Sequence, residues 1–441
     1  MPQLEQSDRA LEASEPLAAE KISRLADHLF RHEAGKLVSI LTSIFGIERL
    51  QMAEDVVQEA LVRALQTWPY YGVPKNPPAW LMQTAKHLAL DLLRREKVFR
   101  GKQPEIVAFI EQRLSGPQTT EATLFDDEIK DSPLRLIFAC CHPFLAGEAK
   151  TALALKILCG FGPREIASAF LTTEAAIMKR LTRARQRLQE QKVAFEIPSG
   201  GELPARLDCV LQILYLFFNE GYKASSGESV VRNELCAEAI RLAGQLVTHP
   251  AGDQPRAHAL LALMLLNGAR LSTRVDEQGN IIRLEEQDRS RWSRSMIQRG
   301  MVHLRLSAQG NEVSEYHLQA AIAALHCMAP DYESTDWRQI LSLYDRLTEL
   351  NDSPVIALNR AVAVAKVHGP GKGIEAVEAI LDRQQLDSYH LFHAVLGEFE
   401  AQRNRFDTAA GHLRKALRLT EVTPERSFLE KKLREFEEQA S

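Results

Sequence analysis

Long apolar runs are missing from this chain. No window approaches a membrane span, and the N-terminus is polar and acidic rather than a signal peptide. The expected compartment is the cytoplasm. Cysteine is sparse: Cys140, Cys141, Cys159, Cys209, Cys236 and Cys327 sit in apolar helical contexts and form no CxxC pair. Cys140-Cys141-His142, with Cys159 as a third ligand, invites a metal reading, but adjacent cysteines project about 100° apart on a helix and share one tetrahedral site with difficulty. Buried free thiols are the expectation, with no metal and no cofactor. Catalytic motifs are missing as well. There is no nucleotide-binding loop, no HExxH and no nucleophile elbow. His142, His249, His303, His326 and His393 read as core or surface residues, and no catalytic residue is expected. Strand signal is almost absent, so the fold class reads as all-α. Charge of one sign is not in excess either, since the formal net charge is −4. A nucleic-acid partner would have to meet a local concentration of basic residues.

Such a concentration exists. Glu174 to Lys192 holds Lys179, Arg180, Arg183, Arg185, Arg187 and Lys192 against Glu174 and Glu190. The stretch PREIASAF-LTT-EAAIMKRLTRARQRLQ (163–189) predicts two helices and a tight turn. A short first helix spans Glu165 to Phe170, and Thr173 caps a second that opens with Glu174. Ile177, Leu181, Ala184 and Leu188 share the inner face of that second helix; Lys179, Thr182, Arg183 and Gln186 lie opposite. An apolar stripe under a basic, hydrogen-bonding face suits a helix in a DNA major groove, and equally a solvated surface helix.

At 441 residues the chain has room for two or three domains. Residues 1–19 read as a loosely ordered leader. Helical periodicity runs from Lys21 to Phe45, Gly46 ends it, and a second helix is expected from about Arg49 to Trp68. There Val57, Leu61 and Ala64 face inward and Asp55, Glu59 and Arg63 outward. A turn-rich loop (69–78) leads to a third helix, Trp80 to Arg95, with Leu81, Ala85, Leu88 and Leu92 inward and Gln83, Lys86, His87 and Arg94 outward. The basic run RREKVFRGK closes it.

AEDVVQEALVRALQTWP, a loop, then PAWLMQTAKHLALDLLRRE resembles region 2 of the sigma-70 family, and more narrowly that of the extracytoplasmic-function sigma factors. The resemblance implies that an acidic helix docks on the clamp of core RNA polymerase, here through Asp55, Gln58 and Glu59. It implies that the helix ending in D-x-L-R-R, with the loop before it, melts and reads the −10 promoter element. The positions that match are Tyr71, Trp80, Gln83, Thr84, Lys86, His87, Asp91, Arg94 and Arg95. A melted strand needs a basic track and stacking surfaces; Tyr70, Tyr71 and Trp80 are available, although Trp80 fits a core position equally well. The 163–189 stretch resembles region 4 of the same family, which reads the −35 element. Glu165, Thr172, Thr173, Ala175, Met178, Lys179, Arg180, Thr182 and Arg183 match the DNA-facing positions. Met178 departs from the polar readers common there, so no base preference follows. The implied layout is a region 2 domain at 20–100, an acidic linker at 101–131 and a region 4 domain at 132–193, with helices at about 133–141 and 146–158.

Beyond the break at Pro198-Ser199-Gly200-Gly201 the chain continues as helices, 202–441. LDCVLQILYLFFNEGY pairs with ELCAEAIRLAGQLV, and HALLALMLLNGARL with WSRSMIQRGMVHLRL; Gly279-Asn280 between the latter two has hairpin chemistry. Self-similar units start at Ser353 and Ser388, an offset of 388 − 353 = 35, close to the tetratricopeptide period of about 34. Such units stack into a solenoid, for which the charged last helix, Glu425–Glu438, suits a cap. The layout resembles extracytoplasmic-function sigma factors with a tetratricopeptide-like extension. That implies regulation through the extension, by a bound protein or peptide or by contact with the sigma domains. FNEGY (Phe218–Tyr222) reads as a functional loop or as a helix end at Gly221. The partners implied are core RNA polymerase and promoter DNA, with no membrane. A helix-turn-helix regulator acting without polymerase is the other reading, and it leaves residues 43–100 unexplained.

Overall fold

The computed structural model describes residues 33–100, 133–158, 160–170, 172–191, 195–196, 202–223, 231–250 and 252–440. The leader, the 20–32 stretch, the acidic linker and Cys159 lie outside the described residues. Every regular element among the described residues is a helix. Two compact units result, Met1–Ile213 and Leu214–Ser441, and the division falls inside one helix.

The first unit begins with α1 (33–45), a 3-10 turn (Ile47–Arg49), α2 (Leu50–Tyr71) and α3 (Pro77–Arg100). Gly46 makes the break after α1 at φ +89°, a backbone open to glycine. Helix α2 buries Ala53, Val57, Ala60, Leu61, Ala64 and Trp68 and packs on α3. It runs three residues past the expected end, through Pro69, and closes on Gly72 at φ +81°. A proline in the last turn forfeits one backbone hydrogen bond that the Trp68 and Tyr71 turn can spare. Helix α3 starts earlier than expected because Asn76 caps it, its Oδ1 accepting from Ala79 N at 3.2 Å. Its buried row is Leu81, Ala85, Ala89 and Leu93, while Leu92 is 39% exposed, so the inward positions assigned to Leu88 and Leu92 shift by one residue at that end. A row of every fourth residue runs obliquely across a helix, as when i±4n ridges pack against a crossing neighbour. Then come α4 (133–140), α5 (Gly147–Leu158), α6 (Pro163–Ala169) and α7 (Glu174–Gln191). Cys140 and Cys141 are buried free thiols here, and burial pushes both thiol pKa values up.

The second unit takes the end of α8 (Glu202–Tyr222), then α9 (Asn233–Thr248), α10 (Pro255–Gly268), α11 (Arg294–Ser307), α12 (Glu315–Met328) and α13 (Trp337–Leu350). It ends with α14 (Pro354–His368), α15 (Pro370–Glu378), α16 (His390–Gln402), α17 (Phe406–Leu419) and α18 (Thr423–Ala440). Helix α10 is apolar all round and buried from Ala257 to Leu266, packed by α9, α11 and α12. From α13 onward consecutive helices pack in succession. Where a hairpin is expected, one antiparallel bridge forms, Val275 to Ile281, with Gly279 at φ +83°; no strand forms among the described residues. The segment instead lies on later helices. Arg283 stands 4.0 Å from Glu398 of α16, and Glu285 stands 3.8 Å from Lys366 of α14.

Gly221 does not turn the chain. It is helical, and a Cβ there would stand 2.7 Å from the Cys236 backbone nitrogen, so glycine serves a close approach of α8 to α9. Tyr222 stacks on Phe218 and lies under the Arg274 guanidinium, 3.8 Å away. One residue on, Lys223 reaches Glu425 of α18 at 3.4 Å. Glu425, 6% exposed, also accepts from Thr420 at 2.7 Å and stands 3.0 Å from His390 Nε2. Burial alone would push this carboxyl up. His390, Lys223 and Thr420 outweigh burial and hold it at about 2. A carboxylate so depressed contributes stability above its unfolded value of about 4.5, and the contribution is lost as pH falls towards about 2. Glu425→Gln is expected to cost about 2–3 kcal/mol at pH 7. Urea unfolding should show that gap shrinking as the pH is lowered from 5 to 3; a gap that stays constant would refute the assignment.

Candidate nucleic-acid interface

On α2 the residues between buried positions point to solvent. Asp55, Gln58 and Glu59 are all exposed. Gln51 Nε2 donates to Asp55 at 2.8 Å, and Arg63 pairs with Glu59 at 3.1 Å, both one helical turn away. Such pairs are weak and leave the carboxylates available to another surface. Two apolar residues passed over in the sequence extend this face: Val62 is 45% exposed and Leu65 is 44%. The signal was there, since both break the polar pattern on the outward side of an amphipathic helix.

At the end of α2, Tyr70 and Tyr71 are 84% and 89% exposed, and Val73 follows them into solvent. Trp80 is half-buried, its ring edge-on to the buried Trp68 with centroids 5.5 Å apart. It therefore supports the loop from below while keeping part of its surface open. Along α3, Gln83 and His87 are exposed and within 3.0 Å of each other; Thr84 and Lys86 are half-buried. Burial holds the Lys86 pKa below the ordinary lysine value. Asp91, Arg94 and Arg95 are exposed, with Arg94 3.5 Å from Asp91. One helix thus carries aromatic, amide and guanidinium groups from its start to its basic end.

The expected two-helix stretch forms as α6 and α7. Glu165 caps its own helix by accepting from Gly162 N at 2.7 Å, and Thr173 Oγ1 accepts from Ala176 N at 3.3 Å at the start of α7. Ile177, Leu181, Ala184 and Leu188 are the buried residues of α7. Thr172 is half-buried; Thr173, Ala175, Met178, Lys179, Thr182 and Arg183 are exposed. The basic side chains divide into two groups. Lys179 and Arg183 project into solvent, whereas Arg180 pairs with Glu148 at 2.8 Å and Arg187 donates to Phe144 O at 3.0 Å. Arg185 is tied to Glu54 of α2 by two hydrogen bonds of 2.8 Å. Lys156 lies in the same buried neighbourhood, and burial lowers its pKa against the opposing pull of Glu54. Glu54 had no functional reading in the sequence, although it falls on the buried side of α2 beside Ala53 and Val57.

Among the described residues no group of three His, Cys, Asp or Glu side chains could hold a metal ion, and no helix is long and apolar enough to cross a membrane. Residues 29–98 match sigma-70 region 2, and residues 206–308 match a family of unknown function, DUF6596. An uncharacterized protein, R00370, of Rhizobium meliloti is 38% identical over 389 residues, spanning 87% of this chain and 90% of that one. The probable RNA polymerase sigma factor RfaY of Xanthomonas campestris pv. campestris is 27% identical over 155 residues, 34% of this chain and 37% of its own length. No solved structure matches. Residues 29–98 thus form a sigma-70 region 2 domain, within a chain that shares nearly its whole length with the Rhizobium protein.

Proposed function

We propose that the chain is an RNA polymerase sigma factor of the extracytoplasmic-function type, which binds core polymerase and directs promoter-specific initiation. The observation that carries this reading is the coincidence, within the 29–98 match, of an exposed acidic face on α2 and an exposed aromatic loop leading into a basic helix. Asp55, Gln58 and Glu59 dock on the polymerase, with Val62 and Leu65 adding apolar area to the same face. The loop and α3 melt and read the −10 element: Tyr70, Tyr71 and Trp80 offer faces to unstacked bases, and Arg94 and Arg95 meet phosphates. Helices α6 and α7 read the −35 element, with Lys179, Thr182 and Arg183 towards the groove. The catalytic work belongs to the polymerase.

The 202–441 extension has a tetratricopeptide-like reading, supported by the succession of helix pairs from α13 to α18. In this reading the extension regulates the sigma domains through a bound protein or peptide. Run-off transcription with purified core polymerase, on DNA upstream of the chain's own gene, tests the whole. Full-length protein should yield a discrete transcript that core alone does not. No transcript, together with tight duplex binding in the absence of polymerase, would replace this reading with a helix-turn-helix regulator.

A further inference from the structure

The FNEGY stretch ends on a tyrosine that two guanidiniums share. Arg274 lies over the Tyr222 ring at 3.8 Å and donates to the Tyr222 carbonyl oxygen. Arg270 stands 5.5 Å from the same ring. The charge of Arg270 also reaches a third guanidinium, Arg289, which donates to the carbonyls of His326 and Ala329 and to the Thr335 hydroxyl. Carbonyls, a hydroxyl and aromatic faces thus position these arginines. Among the described residues none of the three has a carboxylate at ion-pair distance; Asp331 and Glu333 act on Arg289 from farther away. Neighbouring acids are committed elsewhere. Glu220, two residues before Tyr222, stands 3.4 Å from Arg232, and Glu425 is taken by Lys223.

Cations withdrawn from water are normally paired, because burial penalises an uncompensated charge. Here burial lowers the Arg274 pKa; the Tyr222 phenol opposes this and the like charge of Arg270 adds to it. Two neutral donors lie with the arginines. The Tyr222 hydroxyl is buried and has no hydrogen-bond partner among the described residues, which is a cost that a bound acceptor would remove. The Tyr344 phenol lies within reach of the Arg270 charge. Burial, with Tyr215 adding and Arg270 opposing, pushes its pKa up to about 12, so it keeps its proton and can donate.

We propose that Tyr222, Arg270 and Arg274, with Tyr344 beside them, form a binding site for the phosphate group of a small molecule. Each guanidinium fork matches two phosphate oxygens, and two such charges balance a dianion. The phenols supply donors for the remaining lone pairs. A carboxylate carries one charge and would leave one guanidinium uncompensated. Arg270, Arg274 and Tyr222 are half-buried, so a small group can enter while the broad face of a duplex cannot. Tyr222, Arg270 and Arg274 all fall within the 206–308 match. The site lies wholly in the second unit and is independent of the promoter-reading helices.

Isothermal titration calorimetry on the full-length chain, at low salt in phosphate-free buffer, tests the site with inorganic phosphate, pyrophosphate and acetate as probes. Wild type is expected to bind phosphate or pyrophosphate with a Kd below about 1 mM, and acetate at least about 10-fold more weakly. Pyrophosphate bound at least about 10-fold more tightly than phosphate supports the site with a larger phosphorylated molecule as its ligand. A smaller ratio supports it with free phosphate in that place. Arg270→Gln and Tyr222→Phe should each weaken the tighter probe at least about 10-fold. Arg283→Gln, which removes a charge already compensated by Glu286 at 2.9 Å, should bind as wild type does. Circular dichroism checks folding, and Tyr222→Phe, which loses a hydroxyl alone, carries the test if Arg270→Gln is unfolded. No binding of either phosphate probe tighter than about 1 mM would overturn the site. So would affinity unchanged in the folded variants, an equal loss in Arg283→Gln, or acetate bound as tightly as phosphate.

Discussion

A chain carrying Asp55→Lys together with Glu59→Lys is expected to bind core RNA polymerase at least about 100-fold more weakly than wild type, with its fold intact. The fold should survive because both residues are exposed and their partners, Gln51 and Arg63, are neighbours on the same helix. Pairs of this kind contribute about 0.3–0.5 kcal/mol each. Docking should fail because two positive charges would face a surface that accepts two negative ones, and like charges set against each other cost several kcal/mol. A loss of about 2.8 kcal/mol is a factor of about 100. The measurement is a fluorescence titration of labelled chain with core polymerase, with thermal melting as the control for folding. Affinity within about threefold of wild type would remove Asp55 and Glu59 from the docking face.

Arg94→Glu with Arg95→Glu should have the opposite signature: core binding unchanged, promoter opening abolished. Both arginines are exposed near the end of α3, and Arg94 has Asp91 as a partner of its own at 3.5 Å. If each meets one phosphate, losing both lowers the salt dependence of promoter binding by about two units of slope. The reversed charge adds repulsion from the strand. Permanganate reactivity of unpaired thymines on a promoter-bearing duplex reads the opening directly. Opening by the double variant at wild-type levels would refute the assignment, and loss of core binding would show that the change had acted on the docking face instead.

The helices were legible in the sequence because their information is local. Ile177, Leu181, Ala184 and Leu188 repeat at helical spacing, and the same four are the buried residues of α7. The same holds for Val57, Leu61 and Ala64 of α2. What a helix packs against is not local. The inward row of α3 follows its crossing of α2, which moved the end of the row from Leu88 and Leu92 to Ala89 and Leu93. Proline inside α2 reads as a stop, although in a final turn it is tolerated. At the interface, exposure of the expected residues could be anticipated from amphipathic pattern; their partners could not. Arg180, Arg185 and Arg187 looked alike as a basic fringe, and the fold commits them to Glu148, Glu54 and Phe144. Glu54 looked like one more carboxylate on an acidic helix, because the side chain that explains it lies in another part of the chain.

The segment between α10 and α11 has a consequence for how the second unit comes apart. In an array of repeats whose members touch nearest neighbours, stability is a sum of local terms and the ends fray first. Here Arg283 and Glu285 reach α16 and α14, Val275 and Ile281 pack with Val231 and Val422, and Lys223 holds Glu425. These ties join the start of the unit to its final helices across most of its length. They place sequence-distant contacts where a simple array has none, which slows folding and couples the terminal helices to the centre. The last helices are therefore expected to share the cooperativity of the whole unit, which should unfold as one body where a linear array would peel from its end.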